Sequence, residues 1–326
     1  MKRFCNLVVI CLLCNISCSK ETRRIDAILE VTSISFAEFS MPFSITSSDS
    51  LLFVSDIINK AIYKIDGDEI IKQYTKYGKG PGEFLNPSKI IFHQGNLFLM
   101  DKEVMRISKF SSDFDYLNSF NLDFQPKSFV VSDNYIFVNV AMEKDQIKVY
   151  NHAGAEVKKL SFANENSSLP TIDNSISMCY DANKQVLFCG LLSTNRIIKI
   201  YNQLKQQLDI QYEVSLPEVL GKYMSQNGKW EISSGTVYCS DIFYHAGKLF
   251  LLSGGGFTGK QQERKSIENM DYYLLIMQGD KVIKRYQIDI PPENFLGYRF
   301  TLLENKLFLI SISYNKIFRI ENFNEL

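Results

Sequence analysis

The sequence predicts an all-β fold, a ring of six four-stranded antiparallel blades, and three observations carry that prediction. The first is an apolar–aromatic pair that recurs as Leu52-Phe53, Leu97-Phe98, Ile136-Phe137, Leu187-Phe188, Leu249-Phe250 and Leu307-Phe308. Its spacing of roughly forty to sixty residues suits one propeller blade with loop insertions. The second is a strand of Ile-x-Lys-Ile character after five of the pairs: Ile62-Tyr63-Lys64-Ile65, Ile107-Ser108-Lys109-Phe110, Ile147-Lys148-Val149-Tyr150, Ile198-Lys199-Ile200 and Ile317-Phe318-Arg319-Ile320. The third is an imbalance at the ends. The sixth unit stops at Leu326 before any fourth strand, while residues 26–36 supply a strand with no unit of its own. If that strand completes the last blade, the ring closes and loses its exposed sheet edges. A sandwich or a β-helix would explain strands, but not six copies with one strand missing at one end.

Each unit follows the same order. Blade one reads as strands over 51–54, 61–65 and 69–74, with turns at Asn59-Lys60 and Gly67-Asp68. These runs are too short for helices and rich in β-branched and aromatic residues. The later apolar–aromatic pairs follow turns at Gly95-Asn96, Asp133-Asn134, Asn183-Lys184, Gly247-Lys248 and Asn305-Lys306. Fourth strands are expected over 70–74, 116–120, 157–162, 208–214 and 282–288.

Composition agrees with a large β core and excludes some partners. The 326 residues are 45% hydrophobic and 13% aromatic, enough to fill a sizeable interior. Formal charge is zero and no basic run occurs, so nucleic acid is not expected as a partner.

The amino terminus reads as an export signal. Lys2 and Arg3 precede the apolar run Leu7 to Leu13, far short of the ~20 residues a membrane span needs. The following Asn15-Ile16-Ser17-Cys18-Ser19 resembles a bacterial lipobox, with Asn15 where Leu is usual. That resemblance implies a signal peptide over 1–17 and acylation of Cys18; with the six repeated units it leaves a tether over 18–25 and a single propeller domain over 26–326. The address it implies is the bacterial cell envelope at the outer membrane, with the lipid as the only membrane contact; a plain secretory signal is the alternative.

After blade one comes Lys76-Tyr77-Gly78-Lys79-Gly80-Pro81-Gly82-Glu83-Phe84-Leu85-Asn86-Pro87. It resembles the G-x-G-P-G-E-F-x-x-P inter-blade loop of NHL-like and TolB-like six-bladed propellers, common among exported bacterial lipoproteins. Val54-Ser55-Asp56 with Ile62-Tyr63-Lys64-Ile65, and Leu99-Met100-Asp101 with Arg106-Ile107-Ser108-Lys109-Phe110, resemble the NHL pattern V-x-D…R-I-x-x-F. Blades three to six lack the aspartate. The resemblance implies a monomeric binding or scaffolding propeller; some six-bladed propellers are metal-dependent lactonases or lyases.

Strand order sorts the loops into two ends. First–second and third–fourth turns share one end and are short; second–third turns and blade connections share the other. The long insertions at 163–175, 215–234 and 254–270 all belong to the second end, with the 78–87 loop, Asp56 and Asp101. One-sided insertions in a repeat fold point to a binding face.

The candidate residues of that face are Asp56, Asp101, Lys79, Glu83, Tyr223, Trp230, Phe257 and Lys260. Asp56 and Asp101 would either touch a ligand or cation, or cap the second–third turn. Trp230 and Tyr223 would stack on a sugar or partner, or pin their loop to the ring. The Ser253-Gly254-Gly255-Gly256-Phe257-Thr258-Gly259-Lys260 run is close to a P-loop, but Gln261 stands where Ser or Thr must hold magnesium. His93 and His245 fall in facing blades at the tight-turn end, as solvated or core residues, and His152 falls in a turn. Cys179 and Cys189 flank one hairpin, symmetric about Lys184, and either form a disulfide, which export permits, or act as small buried apolar residues, with Cys239 unpaired in both cases. No G-x-S-x-G, H-E-x-x-H or EF-hand pattern occurs. The expectation is therefore an envelope lipoprotein that binds a protein, peptide or glycan, with no cofactor and no catalytic residues assigned. The alternative is a metal-dependent lactonase- or lyase-like enzyme with a divalent cation on the axis.

Overall fold

The computed structural model describes residues 25–48, 50–140, 146–161, 176–192, 194–201, 206–211, 219–224, 230–235, 239–254, 257–258, 272–289, 298–311, 315–321 and 323. They form six blades around a central channel. Blade one is β3 (Pro42–Ser47), β4 (Leu52–Asp56), β5 (Ala61–Asp66) and β6 (Glu69–Tyr74). Blade two is β7 (Pro87–His93), β8 (Asn96–Asp101), β9 (Arg106–Ser111) and β10 (Tyr116–Asn121). Blade three is β11 (Ser128–Val131), β12 (Ile136–Asn139), β13 (Ile147–Tyr150) and β14 (Glu156–Leu160). Blade four is β15 (Ile176–Asp181), β16 (Val186–Leu191), β17 (Arg196–Tyr201) and β18 (Gln206–Gln211).

The recurring pair explains why these strands stack. Neighbouring residues of a strand point to opposite faces, so each pair serves both sides of its blade. Six apolar clusters result, one at each blade-to-blade contact. Phe53 meets Leu97, Phe98 meets Ile136, and Phe137 meets Leu187. Phe188 then meets Leu249, and Phe250 meets Leu307. The sixth cluster joins Phe308 to Leu52, the last blade to the first.

The ring closes in two places. Blade six is β26 (Tyr298–Leu303), β27 (Lys306–Ser311) and β28 (Lys316–Ile320), completed by antiparallel β2 (Thr32–Ser35). This is the closure the sequence predicts. The 26–36 segment is nevertheless two strands. Its first half, β1 (Ala27–Glu30), pairs in parallel with the outer strand of blade five. That blade comprises β21 (Asp241–His245), β22 (Lys248–Gly254), β24 (Tyr272–Gln278) and β25 (Lys281–Asp289). Asp26 anchors the start of β1: its N–H donates to the Arg285 carbonyl at 2.8 Å, and its carboxylate accepts the Arg285 N–H at 2.7 Å. The amino-terminal segment therefore ties blades five and six together while it closes the ring.

Two insertions also carry strands. Between blades four and five lie β19 (Val219–Met224) and β20 (Trp230–Gly235), and within blade five lies β23 (Phe257–Thr258). β19 pairs with both, with Val219 opposite Thr258 and Leu220 opposite Phe257. A seventh, three-stranded sheet thus grows from two separate insertions.

Of the two readings open for Cys179 and Cys189, the structure shows buried free thiols. In the β15–β16 hairpin Cys179 faces Phe188, and Cys189 faces Met178. The hairpin centre lies half a residue from Lys184, so the two cysteines are one step out of register and project from opposite faces. Cys189 packs between blades three and four, Cys179 between four and five, and both are free thiols. Cys239 is also free and buried beside Gly190, where a Cβ would come within 2.4 Å of its sulfur.

Candidate functional site

The innermost strands β3, β7, β11, β15, β21 and β26 line a channel with a cavity of about 290 Å³. Polar side chains bridge neighbouring strands around it. Ser44 Oγ accepts the Ile90 N–H at 3.2 Å, and Thr46 Oγ1 accepts the Phe92 N–H at 3.1 Å. Ser47 Oγ donates to the Leu302 carbonyl at 2.8 Å, and Asp241 Oδ2 accepts the Phe300 N–H at 3.1 Å. Lys89 Nζ donates to Ser128 Oγ at 2.8 Å, and Arg299 Nη1 donates to the Ser240 carbonyl at 2.6 Å.

The two ends of the channel differ in charge. At the end bearing the blade connections, Lys89 of β7, Arg299 of β26 and Asp241 of β21 face the cavity. Lys102 follows β8 at this rim, with its Nζ 5.1 Å from the Phe43 ring centre, and Lys127 immediately precedes β11. Burial, followed by Arg299 and other nearby cations, pulls Lys102 down to about 8. Lys89 is also lowered to about 8, chiefly by burial; Asp241 opposes the shift and Arg299 adds to it. At the opposite end His93 lies 3.2 Å from Asp133, and burial lowers its pKa against the pull of that carboxylate. His152 makes a 2.9 Å contact with the Ser132 carbonyl, and His245 is exposed. Neither Asp241 nor the cations Lys89, Lys102, Lys127 and Arg299 were singled out by sequence. Lys89, Lys127, Asp241 and Arg299 stand near the start of a first strand, and Lys102 follows a second strand.

Asp56 and Asp101 hold the backbone. Asp56 Oδ2 accepts from Ser40 N and Met41 N at 2.7 and 2.8 Å, while Oδ1 accepts from Ile58 N and Asn59 N at 3.0 and 2.9 Å. Asp101 repeats the arrangement with Leu85, Asn86, Glu103 and Val104, at 2.6 to 3.1 Å. Both residues are buried, and both oxygens of each carboxylate are filled. Each carboxylate therefore ties the second–third turn to the chain entering its own blade, and neither is available to a cation.

The glycine-rich loop is closed on itself. Glu83 Oε2 accepts the Gly80 N–H at 2.7 Å, Arg106 Nη1 donates to the Lys79 carbonyl at 2.8 Å, and Arg106 Nη2 donates to the Glu83 carbonyl. Gly78 sits at φ 150°, and a Cβ there would fall 2.0 Å from the Glu83 carboxylate. Phe84 is buried beneath the loop. The Arg of R-I-x-x-F is thus a loop clamp, and only the Lys79 side chain of this segment's candidates is exposed. Tyr223, Trp230 and Phe257 lie on the insertion strands β19, β20 and β23; their side chains, and Lys260 and Cys18, lie outside the described residues. Among the described residues, no three His, Cys, Asp or Glu side chains converge to hold a metal ion.

Comparisons with known proteins agree with this architecture. No curated protein matches the sequence. Among solved structures, a Bacteroides vulgatus member of the DUF4221 family aligns with a TM-score of 0.59 at 11% identity, over 89% of this chain and 95% of its own. A Bacteroides fragilis protein described as exported gives 0.57 at 13%, over 89% and 94%. The virginiamycin B lyase of Staphylococcus aureus gives 0.54 at 11%, over 89% and 98%. At such identities the likeness concerns the fold alone. A family model described as a 6-bladed β-propeller, DUF5128, matches residues 27–242. The six blades, the sixfold apolar–aromatic pair and that match together place the chain in this family of six-bladed β-propellers.

Proposed function

We propose that this chain is an exported binding protein, held at the cell envelope through Cys18, that engages its ligand with the insertion-bearing end of the ring. The observation that carries this reading is the pairing of β19 with β23. Insertions from two different places in the sequence converge on one end and build a joint sheet there. Linker-length variation does not require such pairing, whereas a shaped surface does. Among the described residues, the opposite end offers short turns. The ligand class consistent with the reading is a peptide, protein or glycan, bound by a monomeric propeller without nucleic acid.

The enzyme alternative has less support among the described residues, because Asp56 and Asp101 already spend their oxygens on backbone N–H groups. Metal analysis of the purified mature chain tests it: a stoichiometric divalent ion would favour the lyase-like reading. The binding reading is tested by screening peptides and oligosaccharides by thermal shift, then replacing residues 259–270 with a short Gly-Ser linker. Loss of affinity at unchanged stability is expected; unchanged affinity for every ligand found would overturn the choice of face. For the address, Cys18→Ser is expected to abolish lipid labelling and release the protein from membranes.

A further inference from the structure

The chain is neutral overall, yet four cations gather at one mouth of its channel. Lys89, Lys102, Lys127 and Arg299 come from blades two, three and six: Lys89 and Arg299 line the cavity with Asp241, and Lys102 with the exposed Lys127 stands at its rim. Among the described residues no carboxylate lies within ion-pair distance of any of the four. Lys89 and Arg299 donate to a hydroxyl and a carbonyl, and the Asp241 carboxylate accepts a backbone N–H. The Lys102 ammonium rests on the Phe43 ring, with no hydrogen bond among the described residues.

This arrangement is costly in the free protein. Desolvated cations are normally paired, and like charges brought together disfavour their own charged forms. Lys89 and Lys102 show that cost in their lowered pKa values, to which Arg299 contributes in both cases. Lys89 and Arg299 also tie neighbouring strands, but such ties do not require cations, since Ser44, Thr46 and Ser47 make theirs with neutral groups. At the opposite mouth His93 faces the Asp133 carboxylate instead.

We propose that the mouth framed by Lys89, Lys102, Lys127 and Arg299 binds an oxyanion group: the carboxylate, sulfate or phosphate of a ligand that enters the channel end-on. Arg299 offers a planar fork and the lysines offer point charges around it, a combination suited to such groups. The inference rests on the proposed binding reading only for the end from which the ligand arrives.

The test uses the full mature chain with sodium sulfate as the probe, against sodium chloride at equal ionic strength. Sulfate is expected to raise Tm saturably, and citrate, phosphate and galacturonate compete with it according to the oxyanion class preferred. Lys102→Gln, which removes no side-chain hydrogen bond among the described residues, should weaken apparent sulfate affinity about tenfold, the equivalent of one charge-assisted contact. Arg299→Gln should weaken it at least as much. Lys89→Met guards against misfolding as an explanation: losing a desolvated cation, it should be at least as stable as the parent while losing sulfate response. A sulfate effect equal to that of chloride, or unchanged in Lys102→Gln and Arg299→Gln, overturns the proposal. Replacing residues 259–270 should leave sulfate binding intact, because all four cations lie outside that segment. Intact sulfate binding with loop-independent affinity for a screened ligand would sink the face reading alone. Loop-dependent affinity without any sulfate effect would sink the anion site alone.

Discussion

Blades one and two differ from blades four and five at the position three residues beyond the recurring aromatic. In the first two blades it is Asp56 or Asp101, whose carboxylate gathers four backbone N–H groups and seals the second–third turn against the incoming chain. In blades four and five it is Leu191 and Ser253, and the chain around these blades departs into the insertions that carry β19, β20 and β23. A propeller end can therefore be stapled or elaborated. The difference teaches that the aspartates of the motif are the mark of the stapled half, and that ligand contacts should be sought where they are missing.

The largest effect should come from breaking a staple. Asp101→Ala leaves four N–H groups without their acceptor, two of them in the buried approach to β7. The expected cost is roughly 3–5 kcal/mol, measured from denaturant midpoints, since hydrogen bonds to a charged acceptor are the strong ones. Leu191→Ala at the equivalent position should lose only packing, about 2–4 kcal/mol for a buried leucine, with a slope of the transition unchanged. A cost for Asp101→Ala below about 1 kcal/mol would mean the turn is held by its neighbours instead.

Much of this contrast was legible in the sequence. The pair Leu52-Phe53 and its copies carried the fold, because alternation along a strand forces one residue toward each neighbouring blade, and closure of the ring demands that Phe308 find Leu52. Loss of the aspartate in later blades was legible too. Two things were not. The split of residues 26–36 between blades five and six depends on which outer edge is free, a property of the assembled ring. The cationic mouth depends on Lys89, Lys127 and Arg299 meeting across it, although they are far apart in sequence and no local pattern marks them. The choice between a disulfide and two buried thiols was not legible either, because half a residue in the hairpin centre moves a side chain to the other face.

A pH series sharpens the comparison from the side of the channel mouth. Lys89 and Lys102 titrate near 8 in the folded protein and at their ordinary, higher value when unfolded. Between these values the unfolded chain holds more protons, so these groups make stability rise with pH from about 8 to about 10 and contribute no slope below that window. Lys89 is faced by Asp241, Arg299, Cys179 and Lys102, and Lys102 by Arg299 and Lys127; of these, only Asp241 and Cys179 oppose the loss of the proton. The Tm difference between Lys89→Met/Lys102→Met and the parent should therefore shrink as pH rises from 7 to 9.5. A difference independent of pH would show that both lysines are solvated.

Replacing residues 259–270 with a linker should change stability by less than about 1 kcal/mol, because loop length enters chain entropy only logarithmically. Comparable destabilisation to Asp101→Ala would show that this insertion braces the ring and that blades four and five are stapled by other means.

The smallest expected effect is zero. Reducing agent should leave the Tm of the mature propeller unchanged, although the chain is read as exported and Cys179 and Cys189 share a hairpin. A native disulfide would contribute about 2–5 kcal/mol, a difference readily seen in a melting curve. The register forbids that bridge by placing the two sulfurs in different blade contacts. Burial raises the pKa of Cys179, Cys189 and Cys239 alike, so the thiolate needed for exchange or alkylation is scarce as well as shielded. Iodoacetamide at pH 8 should accordingly label none of the three in the folded chain and all three after unfolding. Labelling of Cys179 and Cys239 together in the folded state would show that the contact between blades four and five opens, making the elaborated half of the ring looser than the stapled half.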